Sequence, residues 1–330
     1  MPPTAPGPGI LALDFGGTKL SAALTGGEAP VHWQALLRAR SEAEARVNLQ
    51  TMLDLAYRLL EGRHPAAIGV SFGGPVNFAA GRVICSHHVS GWEDVPLRDL
   101  LQSEFDAPVV VENDGNIAAL GEWRFGAGQG CDSLLYVTVS TGVGGGWVLN
   151  GHIFRGADGL AGEIGHTVIQ PDGPVCTCGK RGCVESLASG PYLARQAREC
   201  LSQSPHSGRQ LREMAHQEVA AITAETVAQA AEAGDELARQ VLGTAANALG
   251  RGIGAALALL NPRRVVVGGG VSKSGAFYWR CLRETVQGHV LPGVTVDILP
   301  AALGDDAPLW GAVALAEAEL ISSVDSDTKG

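Results

Sequence analysis

Basic residues are in short supply in this chain. Its 24 Lys and Arg face 34 Asp and Glu, a formal charge of −10 over 330 residues. Phosphate backbones are gripped by clustered cations, so this balance argues against a general nucleic-acid-binding protein. The opening MPPTAPGPG has no basic segment running into an apolar one, so it does not read as a secretory signal. Long apolar runs are absent. The richest window, Ala245–Leu260, is interrupted by Arg251 and loaded with glycine, which makes a poor membrane span. The cysteines number seven, an odd count ill suited to a secreted disulfide framework. Charged residues are also few, 18% against 45% hydrophobic, so the chain can bury large cores and is not disordered. What remains is a soluble, cytoplasmic protein with length enough for two domains.

Three of the seven cysteines fall close together, in Cys176-Thr-Cys178-Gly-Lys-Arg-Gly-Cys183, with His166 shortly before them. Three thiolates and one imidazole complete a tetrahedral zinc shell with no position left for water, which is a structural site. The stretch QPDGPVCTCGKRGC has little to bury, so a metal would staple it. The plainer alternatives are a chance cluster of small buried cysteines or a disulfide between two of them; the glycine turns and the Cys-x-Cys-x4-Cys spacing favour the metal. Glu163 and Glu185 flank the cluster, and two carboxylates on a rigid clip suit a polar substrate.

Along the chain, ILALDFGGTKLSAALTGG reads as strand, glycine turn, strand. Glycine lets backbone approach a phosphate, and Thr18 and Lys19 add a hydroxyl and a cation; a plain hairpin with a polar turn gives the same letters. Ser41-Glu42-Ala43-Glu44 is expected to form a capping box opening a helix to about Gly62, with Val47, Leu55 and Leu59 inward. Ala67–Ser71 and Pro108–Glu112 read as strands, and between them Pro96 starts a helix with Leu100, Leu101 and Phe105 on its apolar side. Asp114, just past the second strand, suits an N-cap of the helix that follows. It equally suits a general base, because reactive groups collect beyond the carboxyl ends of strands. Ser133–Ser140, a turn over Thr141–Gly146 and the returning strand Trp147–Leu149 repeat the opening grammar, which points to a duplicated unit. Asn150-Gly151 is a strong hairpin turn. Helices are expected over Glu185–Cys200, Arg209–His216, Ala224–Ala233 capped by Thr223, and from Asp235 to Asn261. Glycines 250, 252 and 254 in the last are expected to allow close packing. Arg264–Val267 leads to Gly268-Gly269-Gly270, then come a helix, a strand Val294–Pro300, a helix 306–320 and a frayed tail.

These pieces resemble the ROK group of sugar kinases and sugar-responsive repressors. The strongest match is Cys176-Thr-Cys-Gly-Lys-Arg-Gly-Cys-Val-Glu185, joined by Glu163-Ile-Gly-His166 and Glu112-Asn-Asp-Gly-Asn116. The resemblance implies an α/β protein with the two-lobed actin-like ATPase fold and duplicated ribonuclease-H-like domains. It places a small lobe at 1–118, completed by helix 306–320, and a larger lobe at 119–305 carrying the zinc loop 166–183 and a dimer interface. It implies that Asp14, Gly16, Gly17, Thr18 and Lys19 form one phosphate hairpin and Thr141, Gly142, Val143 and Gly144 the other. Gly269 and Gly270 would back the adenine ring, and Asp114 would be the catalytic base. Gly74, Asn113, Asp114, Glu163, His166 and Glu185 would hold the sugar; His166, Cys176, Cys178 and Cys183 would hold structural Zn2+. ATP and Mg2+ would be the cofactors, the partners a hexose and a second copy of the chain, with no nucleic acid and no membrane. The implied reaction is glucose to glucose 6-phosphate, with N-acetylmannosamine or fructose as same-family alternatives. Two segments depart from the family pattern: Gly73-Gly74-Pro75 stands where Pro-Gly-Pro is common, and His88-Val-Ser-Gly-Trp92 lacks a usual Asn. A sugar-sensing repressor is disfavoured because only Met1–Gly9 precedes the first strand, with no room for a DNA-binding module. A catalytically dead sugar-binding protein is disfavoured by Asp14, Thr18 and Asp114.

Overall fold

The computed structural model describes residues 9–26, 31–86, 89–204 and 206–327. His88 lies outside that set. The chain opens with strands β1 (Ile10–Phe15), β2 (Lys19–Thr25) and β3 (Trp33–Arg40), then helix α1 (Ala45–Leu60) and strand β4 (Ala67–Phe72). A small hairpin of β5 (Val76–Asn77) and β6 (Arg82–Val83) follows, then α2 (Leu97–Phe105), β7 (Val109–Asn113) and α3 (Asp114–Phe125). Next come β8 (Ser133–Val139), β9 (Val143–Leu149) and β10 (His152–Phe154). After a loop come α4 (Glu185–Ala188), α5 (Gly190–Gln203), α6 (Arg209–Met214), α7 (Ala224–Glu232) and α8 (Glu236–Leu260). The chain ends with β11 (Arg264–Gly268), α9 (Gly275–Gln287), β12 (Asp297–Pro300) and α10 (Ala307–Asp327).

Two five-stranded sheets share one topology. The first has the order β3-β2-β1-β4-β7 and the second β10-β9-β8-β11-β12, so each is an antiparallel meander continued by parallel crossovers. The repeated strand order agrees with the duplication expected from the two glycine hairpins. By contacts the residues fall into two compact units. One takes in residues to Asp132, Gly146–Ala161 and the chain from Ala302; the other takes in Ser133–Gly145 and Gly162–Ala301. A boundary after residue 118 would cut α3, which packs along α10 and stays whole in the first unit.

Strand periodicity explains what the first unit buries. Along β1, Leu11, Leu13 and Phe15 join the core under α1 and α2, whereas Ile10 and Ala12 join the core under α3 and α10. Successive side chains alternate faces, so Asp14 belongs to the α3 and α10 face. Register carries this across the sheet, pairing Asp14 with Ser71 and Ser71 with Glu112. A buried polar row therefore ends the otherwise apolar strands β1, β4 and β7 near their carboxyl ends.

Several local expectations fail for identifiable reasons. The capping box at 41–44 does not form: Glu44 makes no side-chain cap. Buried Asn48 reaches back instead, accepting from the Glu42 amide at 2.7 Å and donating to the Ser41 hydroxyl at 3.0 Å. Val47 and Leu100 are exposed, and Met52 and Leu97 take the inward positions. Gly144, Gly145 and Gly146 lie inside β9, not in a turn; at Gly145 a Cβ would stand 2.9 Å from both Gly162 O and Tyr136 O. The expected helix 185–200 breaks at Ser189 before Gly190-Pro191, because Pro is favoured at a helix start and excluded from its interior. The last helix continues past Leu320 to Asp327, with no Gly or Pro before Gly330 to stop it. Glycines 250, 252 and 254 act as packing positions, where a Cβ would stand 2.6–2.7 Å from Thr285, Val184 and His289.

Candidate functional site

In the first unit the β1–β2 turn is held by the Gly16 amide donating to Lys19 O at 3.0 Å, which leaves Gly17 and Thr18 exposed at its tip. Lys19 Nζ stands 3.7 Å from the Asp305 carboxylate, and Arg38 pairs with Asp306. Asp14, behind this turn, is buried, and its carboxyl is raised to about 7. Burial is the main cause; the Ser71 hydroxyl and Lys19 pull it down, and the Asp114 and Asp306 charges push it up. A dry carboxylate in such a position calls for a proton or a cation.

That shift has a consequence for stability. A carboxyl that binds its proton more tightly when folded contributes fully below the ordinary carboxylate range. The contribution is lost as pH rises from about 4 to about 7, since the folded state there holds more protons than the unfolded state. Asp14→Asn removes this penalty. The ligand-free variant is expected to melt close to the parent at pH 4 and to exceed it at pH 8, by on the order of 4 kcal/mol. Thermal melts at the two pH values check this; an increment that does not change with pH contradicts it.

Asp114 starts α3, where its Oδ1 accepts from the Gly115 amide at 2.8 Å and from Asn113 Nδ2 at 3.2 Å. The cap of this helix is Asn113 and not Asp114: Asn113 Oδ1 accepts from the Gly115 and Asn116 amides at 3.0 and 3.3 Å. Relieved of capping, Asp114 is solvent-exposed at a helix N-terminus, which favours the anion. Asn113 Nδ2 also donates to Gly74 O at 3.0 Å. Three of the expected residues, Gly74, Asn113 and Asp114, therefore form one hydrogen-bonded group, and Gly73 lies beside them: a Cβ on it would sit 3.7 Å from Asp114 Oδ2.

In the second unit the turn between β8 and β9 is tighter than expected. The Ser140 amide donates to Gly142 O at 2.8 Å, so the turn holds Thr141 and Gly142, while Val143 already belongs to β9. Glu185 braces it, its Oε2 accepting from the Val143 amide at 3.0 Å. A Cβ on Gly142 would meet that oxygen at 2.7 Å, so glycine is what lets the carboxylate in. The other oxygen of Glu185 accepts from the Thr177 hydroxyl at 2.9 Å.

Beside Glu185 stands the cysteine cluster. One donor atom from each of His166, Cys176, Cys178 and Cys183 lies within 4.8 Å of all the others. Cys176 Sγ is 3.7 Å from His166 Nδ1, and Cys178 Sγ is 3.7 Å from Cys183 Sγ, far beyond the length of a disulfide. A knuckle shapes the cluster: the Cys176 amide donates to Lys180 O at 2.8 Å and Gly179 turns with φ +86°. The Lys180 backbone lowers the Cys178 thiol, whereas burial pushes Cys183 up to about 12. His166 presents Nδ1 to the thiols, and its Nε2 lies 3.8 Å from Glu163 Oε2. The expected set Glu163, His166 and Glu185 is thus contiguous with the four soft donors.

The same unit holds a cavity of about 880 Å³ reached by Thr141, Gly190, Glu225, Gln229, Gly270 and Lys273. Of the two expected glycines only Gly270 lines it; Gly269 makes the turn, with φ +85°. Glu225, Gln229 and Lys273 were not legible as site residues. Their one signal is the i, i+4 spacing that puts Glu225 and Gln229 on the same face of α7, 3.3 Å apart. A space of this size suits a nucleoside.

A model of the ROK family matches residues 10–319. The chain is 38% identical to a glucokinase of Halalkalibacterium halodurans over 311 residues, 91% of this chain and 92% of that one. It is 34% identical to an N-acetylmannosamine kinase of Escherichia coli O157:H7, across 94% of this chain and 98% of that protein. A crystal structure of a ROK family glucokinase from Streptomyces griseus, in complex with glucose and AMPPNP, superposes with a TM-score of 0.81 at 32% identity, over 94% and 99% of the two chains. With the family model spanning nearly its whole length, this chain belongs to the ROK family and has the actin-like ATPase fold of the ROK kinases.

Proposed function

We propose that this protein is an ATP-dependent hexokinase that phosphorylates glucose on its C6 hydroxyl, with Asp114 as general base. The observation that carries the reading is the likeness to the Streptomyces griseus glucokinase, whose crystals hold glucose and an ATP analogue. Geometry agrees with it at each unit. Asp114 is an exposed carboxylate whose Oδ1 is fixed by the Gly115 amide, so it can take a proton without moving. The sugar oxygen attacks the γ-phosphorus, the bond from that phosphorus to the β-phosphate oxygen breaks, and ADP leaves. Proton transfer comes late, because a loose transition state needs little activation of the nucleophile.

Asn113, Gly74, Glu163, His166 and Glu185 are assigned to the sugar, and the 880 Å³ cavity with Gly270 to the nucleoside. The Gly16–Lys19 turn and the Thr141–Gly142 turn are assigned to the phosphates. Mg2+ supplies charge neutralisation at the transferring phosphate when bound. Asp14 would face it, a buried carboxylate held near 7 that a cation would return to its anion. The soft donor set of three thiols and an imidazole fits zinc in a closed structural site. That metal would fix which nitrogen of His166 is left for a sugar hydroxyl. Cytoplasmic location and a homodimer complete the reading. Among the described residues no helix is long and apolar enough to cross a membrane.

N-acetylmannosamine is the second reading, favoured by the 34% identity to the Escherichia coli kinase. A panel of glucose, fructose, mannose and N-acetylmannosamine with ATP and Mg2+, followed by ADP release, separates them. Glucose is expected to give the highest kcat/KM. Turnover on N-acetylmannosamine alone would replace the first reading by the second, and none on any sugar would remove both.

A further inference from the structure

Glu112 closes the buried polar row at the end of β7, two residues before Asp114, with its side chain only 2% exposed. A carboxylate so placed needs partners on every side, and it has three. The Asn113 amide donates to Oε1 at 2.9 Å, Asn116 Nδ2 donates to Oε1 at 3.2 Å, and Arg155 Nε donates to Oε2 at 2.6 Å. Arg155 follows β10 and is not in any of the motifs. Its guanidinium lies over the Phe78 ring, 3.6 Å from the centroid, and its carbonyl accepts from the Ala161 amide at 3.0 Å, closing the loop that bears it. Stacking and ion pairing together allow it one orientation.

A single hydrogen-bonded line thus leads from Arg155, stacked on Phe78, through Glu112 to the backbone of Asn113, then through the Asn113 side chain to Asp114 Oδ1. The structure assigns Arg155 as the positioning residue for Asp114: it neutralises Glu112 and so fixes the β7–α3 junction that aims the base. The assignment rests on the reading of Asp114 as base and extends it to a residue that never touches substrate. The charges facing the junction are Asp14 on β1, with Lys19 and Asp306 acting on it in turn, Glu112 on β7 and Arg155 after β10.

Arg155→Met leaves Glu112 buried and uncompensated beside Asp114. It is expected to lower kcat about 10²-fold, the cost of an ångström-scale misplacement, with KM for ATP unchanged. It should also move the acid limb of the kcat–pH profile upward by roughly one unit, since an extra anion nearby disfavours ionisation of the base. Arg155→Lys keeps the charge but not the stacked fork; the limb should stay in place while kcat falls less. The double variant Glu112→Gln with Arg155→Met removes both charges and should bring the limb back to its parental position. A role in stability alone would lower the melting temperature of Arg155→Met without moving the limb. An unmoved limb, or one the double variant fails to restore, overturns the assignment. If Arg155→Met does not fold, Arg155→Lys decides: a kcat equal to the parent's overturns the assignment. Asp114→Asn run alongside separates the two claims: if it is inactive while Arg155→Met is normal, only the positioning role falls, and if it is active, the base falls first.

Discussion

Asp114→Asn is expected to lower kcat on glucose by about 10³-fold, within the usual range for loss of a general base. The substitution is conservative at this place. An Asn oxygen can still accept from the Gly115 amide and from Asn113 Nδ2, which hold Oδ1 at 2.8 and 3.2 Å in the parent. The cap of α3 is unaffected, because Asn113 and not Asp114 supplies it. Only the loss of a negative charge at a helix N-terminus weighs on the fold, about 0.5 kcal/mol at an exposed position. Glucose should therefore bind the variant with nearly parental affinity, measured by calorimetry, while steady-state turnover collapses. A kcat within tenfold of the parent would reject Asp114 as the base.

The second large effect concerns the cysteine knuckle. Removing the metal with a strong chelator, or substituting Cys183→Ser, is expected to release about one zinc per chain. Zinc sites of this composition contribute several kcal/mol to folding. At about 2–4 °C per kcal/mol for a unit of this size, the melting temperature should fall by about 10 °C or more. Turnover should fall with it by about 10²-fold, the upper range for disturbing the groups that orient metal ligands. Two structural links explain why the loss would spread. His166 Nδ1 faces the thiols while Nε2 lies near Glu163. Glu185 joins Thr177, between two of the cysteines, to the Val143 amide beside the second glycine turn. Elemental analysis with calorimetric melting checks both. A metal-free preparation with parental stability and full turnover would contradict a structural metal.

Much of this was legible in the sequence because it is carried by short chain segments. The knuckle needs only Cys176 to Cys183 and a nearby His166, and the strands β1, β4 and β7 are each a short apolar run bounded by polar or glycine residues. Where the sequence reading failed, distant groups had decided the outcome. Ser41 and Glu44 fit a capping box locally, yet buried Asn48 takes the Ser41 hydroxyl and the Glu42 amide. Gly144 to Gly146 look like a turn, yet they lie inside a strand, where neighbouring carbonyls leave no room for a side chain at Gly145 and Gly146. Asp114 looks like the cap until Asn113 is seen in that role. Arg155 and the α7 residues Glu225 and Gln229 carry no local signature, since what gives them meaning is Glu112, far back in sequence, and a cavity assembled from four separate segments.

The central claim is that a hydroxyl of glucose itself attacks ATP. The most direct measurement uses glucose carrying 18O at C6, with ATP, Mg2+ and the purified chain, and reads the product by 31P NMR. The account predicts one glucose 6-phosphate per ADP, with the heavy oxygen retained in the bridge between carbon and phosphorus. ADP formed with inorganic phosphate and no sugar ester, or an ester at another carbon, would contradict it.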